Sequence, residues 1–157
     1  MTRIDPRAVV HESAELAEGV TVGPFAMIGP NVTVGRNSTV GSMALIEKNT
    51  AIGEECTICH GAVVGTDPQD LKYHGQDTFL KIGNGTVVRE FCTINRATTE
   101  GEFTLVGDDC LIMAYAHIAH NCVIGNNVVI VNAVNLAGHV HVDDWAIIGG
   151  MTAVQQF

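Results

Sequence analysis

The chain has 157 residues and a formal net charge of −9, and its composition already excludes several classes of protein. Hydrophobic residues make up 46% but aromatic residues only 5%, so a core must consist of small and branched aliphatic side chains. This acidity argues against a nucleic-acid partner, because phosphate neutralisation needs Lys and Arg. We expect no membrane span, since no apolar run of about 18 residues occurs, and the polar N-terminus predicts a soluble cytoplasmic protein without a signal peptide.

An aliphatic residue recurs at every sixth position, and this repeat is the main structural signal. The series begins at Ile4 and keeps one register to Val154, with breaks only at Asp70, Gln76 and Glu100. A six-residue period matches neither an amphipathic helix nor simple strand alternation. It predicts a solenoid of short strands, each followed by a turn. We therefore expect an all-β fold, a parallel β-helix in which three hexapeptides complete each coil.

A second series of small residues lies four positions after each aliphatic residue, where a corner of the coil must be filled. Four cysteines belong to this series, and we expect them to point into the core as small hydrophobic side chains; they are Cys56, Cys92, Cys110 and Cys122. Cys59 forms a C-x-x-C pair with Cys56 but takes an outward position, which disfavours a zinc site.

A β-sandwich is the alternative fold. It would place turns about every 8 to 12 residues, whereas the turns here recur every six residues.

The longest break in the repeat predicts a loop insertion at about residues 66–81, within a single domain of residues 1–157. The segment is polar, and Val64 and Ile82 on either side of it are one coil apart in the sequence. The loop should therefore replace part of a coil and bulge outward. Loops on a rigid scaffold often carry binding groups, although a tolerated surface excursion would give the same pattern.

Three histidines occupy outward positions close to one another. Residues one coil apart should stack, which places His120 over Gly138 and Asn121 over His139, with His117 nearby. An imidazole suits general-base catalysis, and a glycine lets a backbone N–H approach a developing oxyanion. The cluster predicts acyl transfer from a thioester to a hydroxyl or amine, and solvated surface histidines are the alternative.

Four segments together resemble the UDP-N-acetylglucosamine O-acyltransferases, a family of hexapeptide-repeat enzymes of lipid A biosynthesis. These segments are Gln69–Tyr73, His117–Cys122, Leu136–Val140 and Ile147–Val154. The resemblance covers the whole chain and implies a left-handed coil and a homotrimer with active sites between subunits. It implies transfer of a 3-hydroxyacyl group from acyl-acyl carrier protein to the 3-hydroxyl of UDP-N-acetylglucosamine. We expect neither a cofactor nor a metal.

The resemblance also implies a role for each matched residue. His120 corresponds to the general base, and the backbone of Gly138 corresponds to the oxyanion donor. Further residues match substrate contacts of the family: Gln69, Asp70, Lys72, His117, His139 and Gln156. The loop residues among them match contacts to the sugar nucleotide and the acyl group.

Three features depart from the family. Asn121 stands where many members have Asp, which puts charge assistance to the base histidine in doubt. Gln155 stands where many members have His. The family also carries more β-helix and a C-terminal helical region, which is absent from these residues.

Fixed positive charge is scarce around the predicted site, because no Lys or Arg follows Arg96. A substrate pyrophosphate would depend on Lys72, Arg89 and Arg96, or on backbone N–H groups. In a trimer packed about the β-helix axis, a loop of one subunit could cover its neighbour. We therefore expect a shared site, with His120 from one chain and Asp70 and Lys72 from the next.

Other functions on the same fold stay open at this point. An N-acyltransferase acting on a glucosamine derivative is the nearest, although the loop Gln69–Tyr73 favours the O-acyl enzyme. A zinc-dependent hydratase would need three histidines around a metal at a trimer interface. A truncated β-helix scaffold without activity is the remaining alternative.

Overall fold

The computed structural model describes all residues from Met1 to Phe157, which form 23 short strands and no helix. Sheet A contains β1 (Arg3–Ile4), β4 (Thr21–Val22), β7 (Thr39–Val40), β10 (Thr57–Ile58), β13 (Val87–Val88), β16 (Leu111–Ile112), β19 (Val129–Ile130) and β22 (Ile147–Ile148). Sheet B contains β2 (Val9–Val10), β5 (Met27–Ile28), β8 (Leu45–Ile46), β11 (Val63–Thr66), β14 (Thr93–Asn95), β17 (His117–Ile118), β20 (Asn135–Leu136) and β23 (Ala153–Val154). Sheet C contains β3 (Glu15–Leu16), β6 (Thr33–Val34), β9 (Thr50–Ile52), β12 (Phe79–Ile82), β15 (Phe103–Val106), β18 (Val123–Ile124) and β21 (His141–Val142).

Every strand pairs in parallel with the strand one coil later, so the chain winds through the three sheets in turn. In the regular coils the partners are 18 residues apart, as in the pair of Val22 with Val40. Both of these side chains point inward and are buried, and the inward residues between the two end coils join one cluster of 32 buried residues. The predicted all-β fold is confirmed as a left-handed parallel β-helix. The structure contains no apolar helix of membrane-spanning length.

Two excursions leave the coil, and both leave at the corner between sheets B and C. The longer one follows Thr66 and rejoins at Phe79, so Val63 pairs with Thr93. The shorter one lies between β14 and β15, and Thr93 consequently pairs with His117. The excursions bond to each other, since the Gln76 side chain donates to the carbonyl of Thr98 at 3.1 Å. Two adjoining loops therefore surround one stretch of the corner.

The four inward cysteines are buried as the small-residue series predicts, with at most 2% of each residue exposed. Burial raises the pKa of the thiols of Cys92 and Cys122 to about 11. Burial also raises the pKa of the Cys59 thiol, but Cys59 is only half-buried, and a reagent must reach the thiolate to react with it. In the native protein, alkylation at pH 8 should therefore be fastest at Cys59. Peptide mass mapping after a timed pulse measures this. Fast alkylation of all four buried cysteines without unfolding would mean that the register is wrong.

Candidate active site

One corner of the β-helix stacks four polar or glycine positions in successive coils. Each lies two residues after an inward aliphatic residue of sheet B, and the pairing of those aliphatic residues sets the order. The column reads Arg96, His120, Gly138 and Gln156. Because the two excursions leave at this same corner, the loops lie beside the column.

The His120 imidazole lies close against Gly138, with its Cε1 and Nε2 atoms nearest. A Cβ atom added to Gly138 would lie 2.5 Å from Cε1 and 2.6 Å from Nε2 of His120, so only glycine leaves room for the ring. His139 meets the ring edge-on, with 5.2 Å between centroids. Although the position points outward from the coil, as expected, these neighbours and the loop leave only 4% of His120 exposed.

Hydrogen bonds define which nitrogen of His120 carries the proton. Nδ1 lies 3.0 Å from Oδ1 of Asn121, and the same oxygen accepts the backbone N–H of Thr98 at 3.0 Å. An oxygen that accepts both bonds requires a proton on Nδ1. Nε2 is then left with a free lone pair, which is the arrangement that a general base needs.

The loop residue Asp70 approaches the free nitrogen of His120. Its Oδ2 lies 3.6 Å from Nε2 of the same chain, so Asp70 reaches the base within one chain, and a site shared with the next subunit stays a prediction. The backbone N–H of Lys72 donates to Asp70 at 3.0 Å. That bond lowers the pKa of Asp70, with a smaller contribution from the positive charge of His120 and Lys72. Lys72 itself is exposed and forms no ion pair.

The loop is fastened to the coil by Arg96, which is 1% exposed. Its guanidinium donates to the carbonyl of Gly65 and to the carboxylate of Asp67. It also donates to the hydroxyl of Tyr73 at 3.2 Å. The expectation that Arg96 is available to a substrate phosphate is therefore wrong, because its guanidinium is buried and already hydrogen-bonded to groups of the loop.

A second histidine, His117, stands on β17 one coil below Thr93. Its Nδ1 lies 2.7 Å from the hydroxyl of Thr93. Burial lowers the pKa of His117, and the nearby charge of His120 lowers it further. His117 is therefore neutral at pH 7 and can exchange hydrogen bonds with a polar ligand.

A cleft of about 310 Å³ opens beside the corner column. It brings together five of the residues that the sequence singled out, namely Gln69, His117, His120, Gly138 and Gln156. Asp70, Lys72 and His139 do not line its wall. The backbone N–H of Gly138 donates to no acceptor within the protein, so the residues that line this cleft include one imidazole nitrogen with an unshared lone pair and one N–H donor without a protein partner.

Comparison with known families and proteins agrees with this geometry. The family model of the bacterial transferase hexapeptide (six repeats) matches residues 13–48 and 103–138. The acyl-[acyl-carrier-protein]–UDP-N-acetylglucosamine O-acyltransferase of Alkalilimnicola ehrlichii is 60% identical over 158 residues, which cover 100% of this chain and 61% of that protein. The enzyme of the same name from Pseudomonas putida is 58% identical with the same coverage. Along its whole length this chain is similar to about three fifths of each of these UDP-N-acetylglucosamine O-acyltransferases.

Solved structures extend the likeness to three dimensions. The UDP-N-acetylglucosamine acyltransferase of Francisella novicida superposes with a TM-score of 0.95 at 43% identity, over 98% of this chain and 56% of that one. The O-acyltransferase of Moraxella catarrhalis gives 0.96 at 41% identity, over 98% and 60%. The chain thus spans about three fifths of the length of the O-acyltransferases that it matches.

Sequence reasoning missed several residues that support the site. Thr93 contacts His117, and Thr98 and Glu102 contact Asn121. The last two lie in the shorter excursion. Arg96 could have been recognised, because it is the only cation in the corner column. Thr98 falls on the small-residue series, which predicts a corner position and no contact with Asn121. Glu102 lies in the shorter excursion and gives no such signal.

Replacing Arg96 by Met should release the loop. The change removes three hydrogen bonds of a buried cation, and a hydrogen bond with a charged partner is worth about 1.5–3 kcal/mol. The bond to Asp67 contributes less than this, because that carboxylate is exposed to solvent. We expect limited proteolysis to cut within residues 67–78 much faster, and the melting temperature to fall. Tyr73→Phe is the matched variant, since it deletes one bond to Arg96 and the hydroxyl's own bond to Asp67 or Gln76 but keeps the cation, and it should have a smaller effect. Unchanged protease resistance in Arg96→Met would contradict the fastening role.

Proposed function

We propose that this chain provides the catalytic cleft of an acyl-[acyl carrier protein]–UDP-N-acetylglucosamine O-acyltransferase, which catalyses the first step of lipid A biosynthesis. The observation that carries the proposal is the pair formed by Nε2 of His120 and the free N–H of Gly138 in one cleft. Sequence identity of 60% over the whole chain with an enzyme of that name supports it.

The chemistry follows from these two groups. Nε2 of His120 takes the proton of the sugar 3-hydroxyl while its oxygen attacks the carbonyl carbon of the acyl thioester. The N–H of Gly138 donates to the oxyanion of the tetrahedral intermediate. When the C–S bond breaks, the proton on Nε2 passes to the leaving thiol of the carrier protein. The ester is formed, the base is regenerated, and these steps need no cofactor or metal.

The other cleft and loop residues bind and orient the substrates. Gln69 and Gln156 line the two sides of the cleft, and their amides can bond the acceptor sugar. His117, neutral at pH 7, offers a further polar contact. We assign Asp70, Lys72 and His139 to substrate binding as well, although they do not line the cleft wall, and Lys72 supplies the positive charge for a phosphate group of the sugar nucleotide.

The assembly and location belong to the same proposal. We place the chain in a homotrimer that accepts acyl-acyl carrier protein, and we place the reaction in the cytoplasm. Cross-linking of the purified protein, or light scattering behind a sizing column, should give the mass of three chains. A monomer that is active would contradict the trimeric assembly.

Acyl transfer can be tested directly with the purified protein. We expect UDP-N-acetylglucosamine and a set of 3-hydroxyacyl carrier proteins of different chain lengths to give a product ester, detected by mass spectrometry and cleaved by hydroxylamine. A 3-amino analogue of the sugar nucleotide would instead give a hydroxylamine-stable amide, and preference for it would favour N-acyl transfer. Absence of any product with every donor would contradict the proposal and favour an inactive scaffold.

A further inference from the structure

The neighbour of the proposed base, Asn121, is itself held by a carboxylate. The Asn121 amide accepts from Nδ1 of His120 through its oxygen. Its Nδ2 donates to Oε2 of Glu102 at 2.6 Å. We propose that Glu102 is a positioning residue, which acts through Asn121 to fix the orientation and tautomer of His120. This inference rests on the proposed role of His120 as the base.

The Asn121 amide cannot turn over in this setting. Its oxygen accepts the backbone N–H of Thr98 at 3.0 Å, and an ionised carboxylate can only accept from its nitrogen. The Asn121 backbone is held in the left-handed conformation, with φ of 58°, and its N–H donates to the Thr104 hydroxyl at 2.9 Å. The two ends of the amide are therefore specified by different partners, and both specify the same orientation.

Glu102 is held at the right place by its own backbone. Its N–H donates to the carbonyl of Thr99 at 3.0 Å, and its carbonyl accepts from Phe79 at 3.0 Å. Glu102 directly precedes β15, and these bonds tie it to the shorter excursion and to the start of β12. The carboxylate thus has a defined anchor although the residue is exposed.

A neutral amide alone stabilises the positive charge of a protonated imidazole only weakly. The negative charge of Glu102 polarises the amide, and chained hydrogen bonds of this kind strengthen one another. When His120 takes the substrate proton, its ring becomes positive, and the polarised Asn121 oxygen stabilises that charge. Glu102 therefore supplies its negative charge through Asn121, whereas an aspartate bonded to the imidazole would supply that charge directly.

Histidine-selective ¹⁵N labelling tests this inference without requiring turnover. The wild-type spectrum should show His120, assigned with His120→Ala, protonated at Nδ1. In Glu102→Ala the Nδ1–H form should lose its dominance, and kcat should fall about tenfold, as is typical when an outer partner of a functional histidine is removed, with KM little changed. Glu102→Gln keeps an acceptor but removes the charge, so the acid limb of the kcat–pH profile should move to lower pH. Glu15→Gln, which removes a charge that bonds to no side chain, is the matched control.

A double substitution provides the sharper test. Asn121→Asp would set two carboxylates against each other across the present 2.6 Å contact and should lower kcat. Adding Glu102→Gln should restore activity, because the glutamine amide can donate a hydrogen bond to the carboxylate introduced at position 121. Two results would overturn the inference: an unchanged His120 spectrum in Glu102→Ala, or Asn121→Asp that is fully active with Glu102 intact. If wild-type protein transfers no acyl group but the spectrum responds to Glu102, the proposed function fails while the positioning role stands.

Discussion

Replacing His120 by Ala should lower kcat for acyl transfer by about 100-fold or more, as loss of a general base usually does. The imidazole is the only group in the cleft that combines a free lone pair with a fixed tautomer, since Nδ1 is bonded to Asn121. The side chain makes no contribution to the inward aliphatic cluster. The fold should therefore survive, and steady-state kinetics with circular dichroism measures both quantities.

A matched variant separates this loss from a general effect of removing a histidine. His11 lies near the N-terminus, in the corner after β2 and far from the cleft in the sequence, and its side chain bonds only to Ser13. His11→Ala should leave kcat unchanged. Turnover near the wild-type value in His120→Ala would remove the base from its assigned role, whatever the effect on KM.

Replacing Gly138 by Ala should be almost as damaging, although the backbone N–H is kept. Its Cβ would lie 2.5 Å from the His120 ring, closer than side-chain carbons ever approach, so the imidazole must move. Displacement of a catalytic group by about 1 Å can cost about 100-fold in rate. We expect a loss of that order in kcat, with a folded protein, because the clash is with a side chain and not with the backbone.

Two controls isolate the steric cause. Gly149→Ala adds a methyl group where nothing lies within 4 Å and should be harmless. In a His120→Ala background the ring is gone, so adding Gly138→Ala should cost little more, which is the non-additivity of residues that act as a unit. Multiplicative losses in the double variant would show that Gly138 acts independently of the ring.

The architecture could be predicted because each structural position demands one kind of residue. Inward positions such as Ile46, Ile58 and Ile130 are buried completely and accept only aliphatic side chains, so they leave a six-residue period that survives both excursions. The hand of the coil leaves no such period. The general rule for parallel crossovers favours the right hand, so the left hand came from the family resemblance alone.

The site was predictable only where the coil itself sets the geometry. One-coil stacking placed His120 over Gly138 correctly, because the ladder of parallel strands fixes that pair. It could not place Asp70, whose approach to His120 depends on how Arg96 fastens an irregular loop. Nor could it find Glu102, since a contact between a loop and a corner has no spacing rule.

Both excursions begin and end at one corner, so the recognition elements can be exchanged without rebuilding the scaffold. The strands on either side remain paired whatever the loop length, as the pair of Val63 with Thr93 shows, and each doubling of loop length costs only about 0.6 kcal/mol in closure entropy. The base and the N–H donor belong to the coil and stay where they are. Grafting a different loop between Thr66 and Phe79 is therefore a route to new acceptor molecules with the same transfer chemistry, provided that the graft keeps a partner for Arg96.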